Sequence, residues 1–269
     1  MIKKVGVLLL VIFALQACKK VPVTGRSQIN LIGDDSINKM AEQQYNMVLD
    51  QSRTVNNTSN GEMVERVGER ISNAVDRYAK ANGFYEDIAD YNWEFNLIDE
   101  NVANAWCMPG GKVAFYTGIL PFTESEEGMA VVMGHEVAHA IARHGAERLS
   151  QQLLAQGLSV GAAIASAGTN VQTQNTINQA FGIGSTLGIL AFSRKHESEA
   201  DKMGLIFMAM AGYDPREAVE FWKRMSESGG QAPPEFLSTH PSHETRIKDL
   251  EENLPEALKY YKPRTGISN

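Results

Sequence analysis

Residues 133–144 read Met-Gly-His-Glu-Val-Ala-His-Ala-Ile-Ala-Arg-His. The segment His135-Glu136-x-x-His139 within it constrains the fold more than any other part of the chain. On a helix turning about 100° per residue, His135 and His139 stand about 40° apart on one face. Two imidazoles one turn apart can point at one zinc ion, and Glu136 can reach a water on that metal. Short patterns of this kind also arise by chance, and a histidine pair can be ordinary helix surface. The setting separates this one from such cases. Ala130, Val131, Val132, Met133, Val137, Ala138 and Ile141 make the helix apolar enough to be buried. Two histidines and a glutamate inside a buried helix need partners, because unpaired buried polar groups are costly. A metal is the simplest partner for all three.

The chain is long enough to bury a core of one domain with a small extension. Its formal net charge is −7, with no basic stripe or long charge run, which argues against a nucleic-acid partner. The two cysteines, Cys18 and Cys107, provide neither a disulfide framework nor a Cys-rich zinc site. All six histidines fall in the second half, as a site built late in the chain would require. No internal repeat is visible.

The N-terminus carries an address. Met1 to Lys4 is short and basic, and Val5 to Leu15 is an apolar run of signal-peptide length, too short for a spanning helix. Leu15-Gln16-Ala17-Cys18 then resembles a bacterial lipobox, with Cys18 as the lipidated residue and residues 1–17 as the signal peptide. A plain secretory signal or an uncleaved anchor is the alternative. Lys19 after the cysteine gives no inner-membrane retention signal, so the outer membrane is the default. Residues 18–33, with Pro22-Val23-Thr24-Gly25-Arg26, are expected to be a lipid-anchored tether, 34–261 the folded domain and 262–269 a flexible tail.

Within the domain, Asp34 or Asp35 can cap a helix running to about Gln51. Met63, Val64, Val67, Ile71, Val75 and Tyr78 recur at helical spacing and predict a core-packing helix over 62–81. Residues 91–97 alternate as a half-buried strand, Pro109-Gly110-Gly111 marks a turn, and 112–118 reads as a second strand. Lys112, Val113, Ala114, Phe115 and Tyr116 either offer a free edge to an extended substrate or lie inside a small sheet. Thr123 to Glu126 can form a capping box for the zinc helix, predicted to run to about Gln152. Residues 159–190 are rich in small residues. Close packing of two helices around a polar loop, with some mobility, is favoured there over a lid or a membrane-touching surface. Phe192 to Ala211 predicts a helix stopped by Gly212, and Asp214-Pro215-Arg216-Glu217 opens the next. Residues 229–234 break the chain, and 240–246 lead into a last short helix.

A catalytic zinc takes three protein ligands and leaves one position for water. His144 is the nearest candidate for the third ligand. In the longer pattern His-Glu-x-x-His-x-x-Gly-x-x-His, the third histidine would fall at Gly145, and Ala142 stands where that pattern has glycine. His144 also sits about 180° around a continuous helix from His135, so it is rejected. In Glu197-Ser198-Glu199-Ala200-Asp201, Glu197 and Asp201 share a helix face and Glu199 points away. One of the two carboxylates can bind zinc while the other orients a ligand imidazole.

The zinc motif followed by Ser193-Arg194-Lys195-His196-Glu197-Ser198-Glu199-Ala200-Asp201 resembles metallopeptidase family forty-eight. That family includes the heat-shock protease HtpX, the CAAX prenyl protease and periplasmic BepA-like and LoiP-like proteins. Asn104-Ala105 with Pro109-Gly110-Gly111, Thr239-His240-Pro241 and Glu244-Thr245-Arg246 extend the likeness, and Pro-Val-Thr-Gly-Arg resembles the lipoprotein branch. The likeness covers most of the mature chain. It implies an α+β, mainly helical, gluzincin-like fold with a small mixed sheet beside the active-site helix. His135, His139 and Glu197 would bind one zinc ion per chain, and Glu136 would be the general base. Asp201 would support the site, and His240 would approach the zinc as a fourth ligand or gate, so that Glu136, Asp201 and His240 form the catalytic set. Arg246 would give structural or electrostatic support. The implied activity is endopeptidase cleavage of polypeptides, by family analogy misfolded envelope proteins. The implied partners are these substrates, the membrane through the lipid and, as a candidate, the outer-membrane assembly machinery. Three departures stand out. The chain lacks the repeats of BepA, lacks the spanning helices of HtpX, and has Trp106-Cys107-Met108 before its Pro-Gly-Gly. The first two imply a minimal soluble protease domain on a lipid tether. A zinc-stabilised chaperone or assembly factor with repressed proteolysis is the competing class, and an integral membrane protease a third.

Overall fold

A computed structural model describes residues 18–155, 170–181, 192–227, 240 and 245–263. The expected signal peptide, most of the 159–190 region, the break at 229–234 and nearly all of the expected tail lie outside these residues. Among the described helices none is long and apolar enough to cross a membrane.

The described helices are α1 (Asp34–Gln51), α2 (Ser59–Asn82), α3 (Glu126–Ile141), α4 (His144–Ala155), α5 (Val171–Phe181), α6 (Arg194–Met210), α7 (Glu217–Glu227) and α8 (Arg246–Leu258), with a one-turn helix at Leu120–Thr123. The strands are β1 (Cys18–Lys20), β2 (Ser27–Ile29), β3 (Glu94–Ile98), β4 (Ala105–Met108) and β5 (Lys112–Tyr116). The fold is therefore mainly helical with a small mixed sheet beside the zinc-motif helix α3, as the sequence implied.

The sheet order is β3-β5-β4, with β3 parallel and β4 antiparallel to β5. Alternation sends Leu97, Ala105, Cys107, Val113 and Phe115 into a core shared with α2, α3, α6 and α7. Their neighbours Ile98, Trp106, Met108, Ala114 and Tyr116 enter a second core with α1, α4 and α5. A sheet covered on both faces does not alternate in polarity along its strands. This is why Ala105–Met108, wholly buried, gave no strand signal.

The free-edge alternative for Lys112–Tyr116 is corrected by this topology. β5 is the central strand, bonded on both sides and buried throughout, so it has no edge to offer a substrate. Lys112 is consumed within the sheet, its ammonium donating to the Asn92 carbonyl at 2.9 Å and pairing with Glu94. The strand against α3 is β4, which among the described residues pairs only with β5.

The expected tether at 18–33 is corrected as well, because much of this segment packs into the domain. β1 and β2 form an antiparallel hairpin. Val21 and Ile32 are 1% exposed, and Gln28 Nε2 donates to the Ala142 carbonyl at 2.9 Å. That bond falls where the zinc helix stops. α3 ends at Ile141 instead of continuing to Gln152, because Arg143 adopts φ 59° and breaks the helix before α4. Arg143 is held there by Asp34, with both contacts at 3.2 Å. Asp34 is therefore an ion-pair partner, and the cap residue of α1 is Gly33, with no side-chain cap. At the start of α3 the cap is Ser125, which accepts the Gly128 N–H at 3.1 Å, in place of the expected Thr123. α2 follows its stripe, with Val64, Val67, Ile71, Val75 and Tyr78 all buried. Past Gly212, Asp214 accepts the Arg216 N–H at 3.0 Å and α7 begins at Glu217.

Candidate active site

α3 and α6 cross where two glycines meet. A Cβ on Gly134 would stand 3.0 Å from the Gly204 carbonyl oxygen, and one on Gly204 would stand 3.0 Å from Gly134 and His135 backbone atoms. Backbone contact at this point brings His135 and His139 of α3 against Glu197 and Asp201 of α6. Ser193 fixes the start of α6 by accepting the His196 N–H at 3.2 Å.

His135, His139, Glu197 and His240 each direct one donor atom into a common buried point, all within 4.8 Å of one another. His139 Nε2 lies 3.0 Å from His135 Nε2, and His240 Nδ1 lies 3.2 Å from His135 Nε2. Glu197 oxygens lie 3.1 Å from His240 Nδ1 and 3.4 Å from both other imidazoles. Ligands about 2.0–2.1 Å from a tetrahedral zinc stand roughly 3.3–3.4 Å from one another. These separations, 3.0–3.4 Å, are close to the edges of that tetrahedron.

The tautomers point the same way. His135 Nδ1 lies 2.9 Å from Asp201 Oδ1, and an ionised carboxylate only accepts, so this nitrogen carries the proton. His144 Nε2 faces Glu199 at 3.2 Å and donates for the same reason. In neutral His144 this leaves Nδ1 as an acceptor for the His139 Nδ1–H, 2.9 Å away. Burial pushes His144 down to about 4, against its bond to Glu199, so it is neutral at neutral pH. Both Nε2 lone pairs of the motif histidines then face each other bare, an arrangement that calls for a cation between them. Without a metal the demand shows as a proton. Burial pulls His135 down, but Asp201 and Glu197 outweigh it and raise it to about 9.

Arg246, fully buried, lies 3.0 Å from Glu197 Oε2 and donates to Asp201 Oδ1 at 2.8 Å. Its guanidinium sits 3.4 Å from the Trp222 ring centroid. Glu136 lies beside the cluster, with Oε1 3.4 Å from His240 Nε2 and without a hydrogen bond. Burial raises its pKa, partly opposed by His240 and His135. A buried carboxylate oxygen without a hydrogen bond is uncommon, and here it stands beside the His240 ring. Phe192 covers the ligands, its ring 4.1 Å from that of His139 and 5.5 Å from that of His240.

The sequence model of peptidase family M48 matches residues 65–254, which contain every donor of the cluster. The chain belongs to peptidase family M48. The M48 chain is 34% identical over 242 residues to the mitochondrial metalloendopeptidase OMA1 of Schizosaccharomyces pombe, covering 88% of this chain and 66% of that protein. It is 37% identical over 196 residues to the Arabidopsis thaliana OMA1, covering 70% and 38%. It is 30% identical over 215 residues to the putative beta-barrel assembly-enhancing protease of Vibrio cholerae, covering 77% and 41%. The chain thus spans between 38% and 66% of the length of these relatives. Family membership and the donor cluster together support metalloendopeptidase activity.

Sequence reasoning passed over a second ring of groups. His144 is no ligand, but it touches one. Glu199 points away from the cluster, as expected, and holds His144 from behind. Glu147, His196, Thr24 and Arg26 complete that ring. The crowding of all six histidines into one half of the chain was the available signal.

Proposed function

We propose that this M48 chain is a zinc-dependent endopeptidase of the bacterial cell envelope. The observation that supports it is the buried four-donor cluster with Glu136 beside it, one carboxylate oxygen buried without a hydrogen bond. A bound zinc ion would acidify water and polarise a peptide carbonyl. His135, His139 and Glu197 would hold the ion, with Asp201 and His144 keeping the two α3 imidazoles turned inward. Glu136 would take a proton from the attacking water and return it to the leaving amine. Arg246 offsets the charge of Glu197 and Asp201, leaving Glu136 to act as base. β4, beside α3, is the edge suited to an extended polypeptide. Cys107 of β4 and His139 line one small cleft.

The cellular setting belongs to the same proposal. The lipobox-like Leu15-Gln16-Ala17-Cys18 supports a lipid anchor on the periplasmic face of the outer membrane. Likeness to a putative beta-barrel assembly-enhancing protease supports the outer-membrane assembly machinery as a partner, and misfolded envelope proteins as substrates are carried over by family analogy.

The second reading, a zinc-stabilised assembly factor with repressed proteolysis, is favoured by one observation. His240 stands at the fourth corner, the place of the catalytic water, and a closed four-ligand site is the structural type. Movement of His240 would reconcile the two. Glu136→Gln is expected to retain zinc and to lose casein cleavage by about 10²–10⁴-fold. Undiminished cleavage by the zinc-loaded variant would remove Glu136 from the mechanism.

A further inference from the structure

Behind His139, on the side away from Glu197, lies a buried polar cluster that the hydrolytic chemistry does not use. Arg26 Nη1 and Nη2 donate to the two Glu147 oxygens at 2.9 and 2.7 Å, and its Nε donates to Glu199 Oε2 at 2.6 Å. Thr24 Oγ1 donates to Glu199 Oε1 at 2.6 Å. Glu147 accepts His196 Nε2 at 3.1 Å, and Glu199 accepts His144 Nε2 at 3.2 Å. The rings of His144 and His196 are stacked, with centroids 4.4 Å apart. His144 then meets His139 Nδ1 at 2.9 Å. One end of this series of bonds is a metal-binding imidazole. The other is the turn of an N-terminal hairpin.

That turn is rigidly made. Val21 N–H bonds the Arg26 carbonyl at 2.8 Å, Gly25 N–H bonds the Val21 carbonyl at 2.9 Å, and Val21 itself is in the core. Val23 adopts φ 69°, which a β-branched residue rarely does unless its surroundings enforce it. The forked guanidinium reaches two carboxylates at once, a task its planar geometry suits and an ammonium cannot match.

We propose that Arg26 and Thr24 are positioning residues for the metal site: the hairpin turn fixes Glu199, Glu199 fixes His144, and His144 fixes the His139 ring with its proton turned away from the metal. Groups that hold the far nitrogen of a ligand imidazole set its orientation and basicity, and their loss weakens metal binding. The segment expected to be a mere tether is then part of the metal centre.

The proposal rests on the zinc reading above, and the full chain tests both. Zinc affinity is measured by competition with a chromogenic chelator, and the melting temperature of the metal-free protein is recorded beside it. Arg26→Met and His144→Leu are expected to weaken zinc binding by about 10–100-fold. His144→Asn places an amide oxygen where Nδ1 stood and is expected to recover most of the loss. Equal weakening in His144→Leu and His144→Asn would overturn the proposal, as would wild-type affinity in Arg26→Met. Should Arg26→Met not fold, Thr24→Val removes one bond to Glu199 and is expected to weaken zinc several-fold; unchanged affinity there would also overturn it. A wild-type chain that takes up no zinc would sink this proposal and the endopeptidase reading together. Wild-type uptake with unaffected variants would sink this one alone.

Discussion

Glu147 shows how strongly one carboxylate can be held. Burial alone would raise its pKa, but hydrogen bonds from His196 and Arg26 outweigh burial and bring it from 4.5 to about 2. The unfolded chain therefore binds the proton more tightly than the folded one. The stability this group contributes is complete above pH ~4.5 and is lost as pH falls toward ~2. Glu147→Gln should be less stable at pH 7 and should lose stability less steeply across that window. Urea unfolding at a series of pH values measures both, and parallel wild-type and variant curves would show that Glu147 is not held as described. His240 presents a different residue-scale question, because its Nδ1 stands with the ligands and its Nε2 near Glu136. A ligand that occupies the place of water weakens turnover while strengthening metal binding. His240→Ala should therefore bind zinc more weakly and, at saturating zinc, cleave casein faster than wild type. Abolished cleavage at saturating zinc would instead give His240 a direct part in catalysis.

At the scale of elements, the site depends on how closely α3 and α6 approach. Gly134 and Gly204 let two backbones touch, and a methyl on either would meet backbone atoms at 3.0 Å that cannot swing aside. Gly204→Ala should force the helices apart, cost about 1–3 kcal/mol and weaken zinc binding by misplacing Glu197 relative to His139. Unchanged melting and zinc affinity would mean that the crossing is looser than drawn. This crossing also marks where sequence reading stopped. His135 and His139 were readable because helical periodicity puts two imidazoles on one face; periodicity also set Glu197 and Asp201 apart from Glu199, and the family resemblance chose Glu197 between them. The 62–81 stripe was readable for the same reason. The break after α3 was not, because Arg143 in a left-handed conformation is imposed by Asp34 and Gln28 from distant parts of the chain. A continuous helix would have carried His144 away from the site, whereas the break returns it to His139. β4 and the central place of β5 escaped because a sheet buried on both faces leaves no polar alternation. Thr24 and Arg26 could be seen as a motif, but the contacts that give them a role span most of the chain.

Across the whole molecule, the metal point joins parts that are far apart in sequence: α3, α6, residue 240 and, through Arg246, α8. The N-terminal hairpin braces it from behind. Such a junction exists only in the folded chain, so a metal held there binds the native state far better than the unfolded one. Removing it leaves His135 to take up a proton where the metal stood, with Arg246 beside Glu197. Zinc at about 100 times its dissociation constant should stabilise the fold by about 2.7 kcal/mol. For a domain of this size that corresponds to a melting temperature higher by roughly 5–10 °C. Chelator-treated protein should therefore melt lower by that amount and lose casein cleavage, and stoichiometric zinc should restore both. Magnesium should restore neither, since three imidazoles and one carboxylate suit a borderline-soft ion and not one that prefers an all-oxygen octahedron. Equal melting temperatures with and without zinc would mean that the four donors do not close on a metal in the native protein. The hairpin's reach into the metal centre gives this experiment a second edge. If Arg26 acts through His139, Arg26→Met should show a smaller zinc-induced rise in melting temperature than wild type at equal zinc, while the two metal-free proteins differ by less.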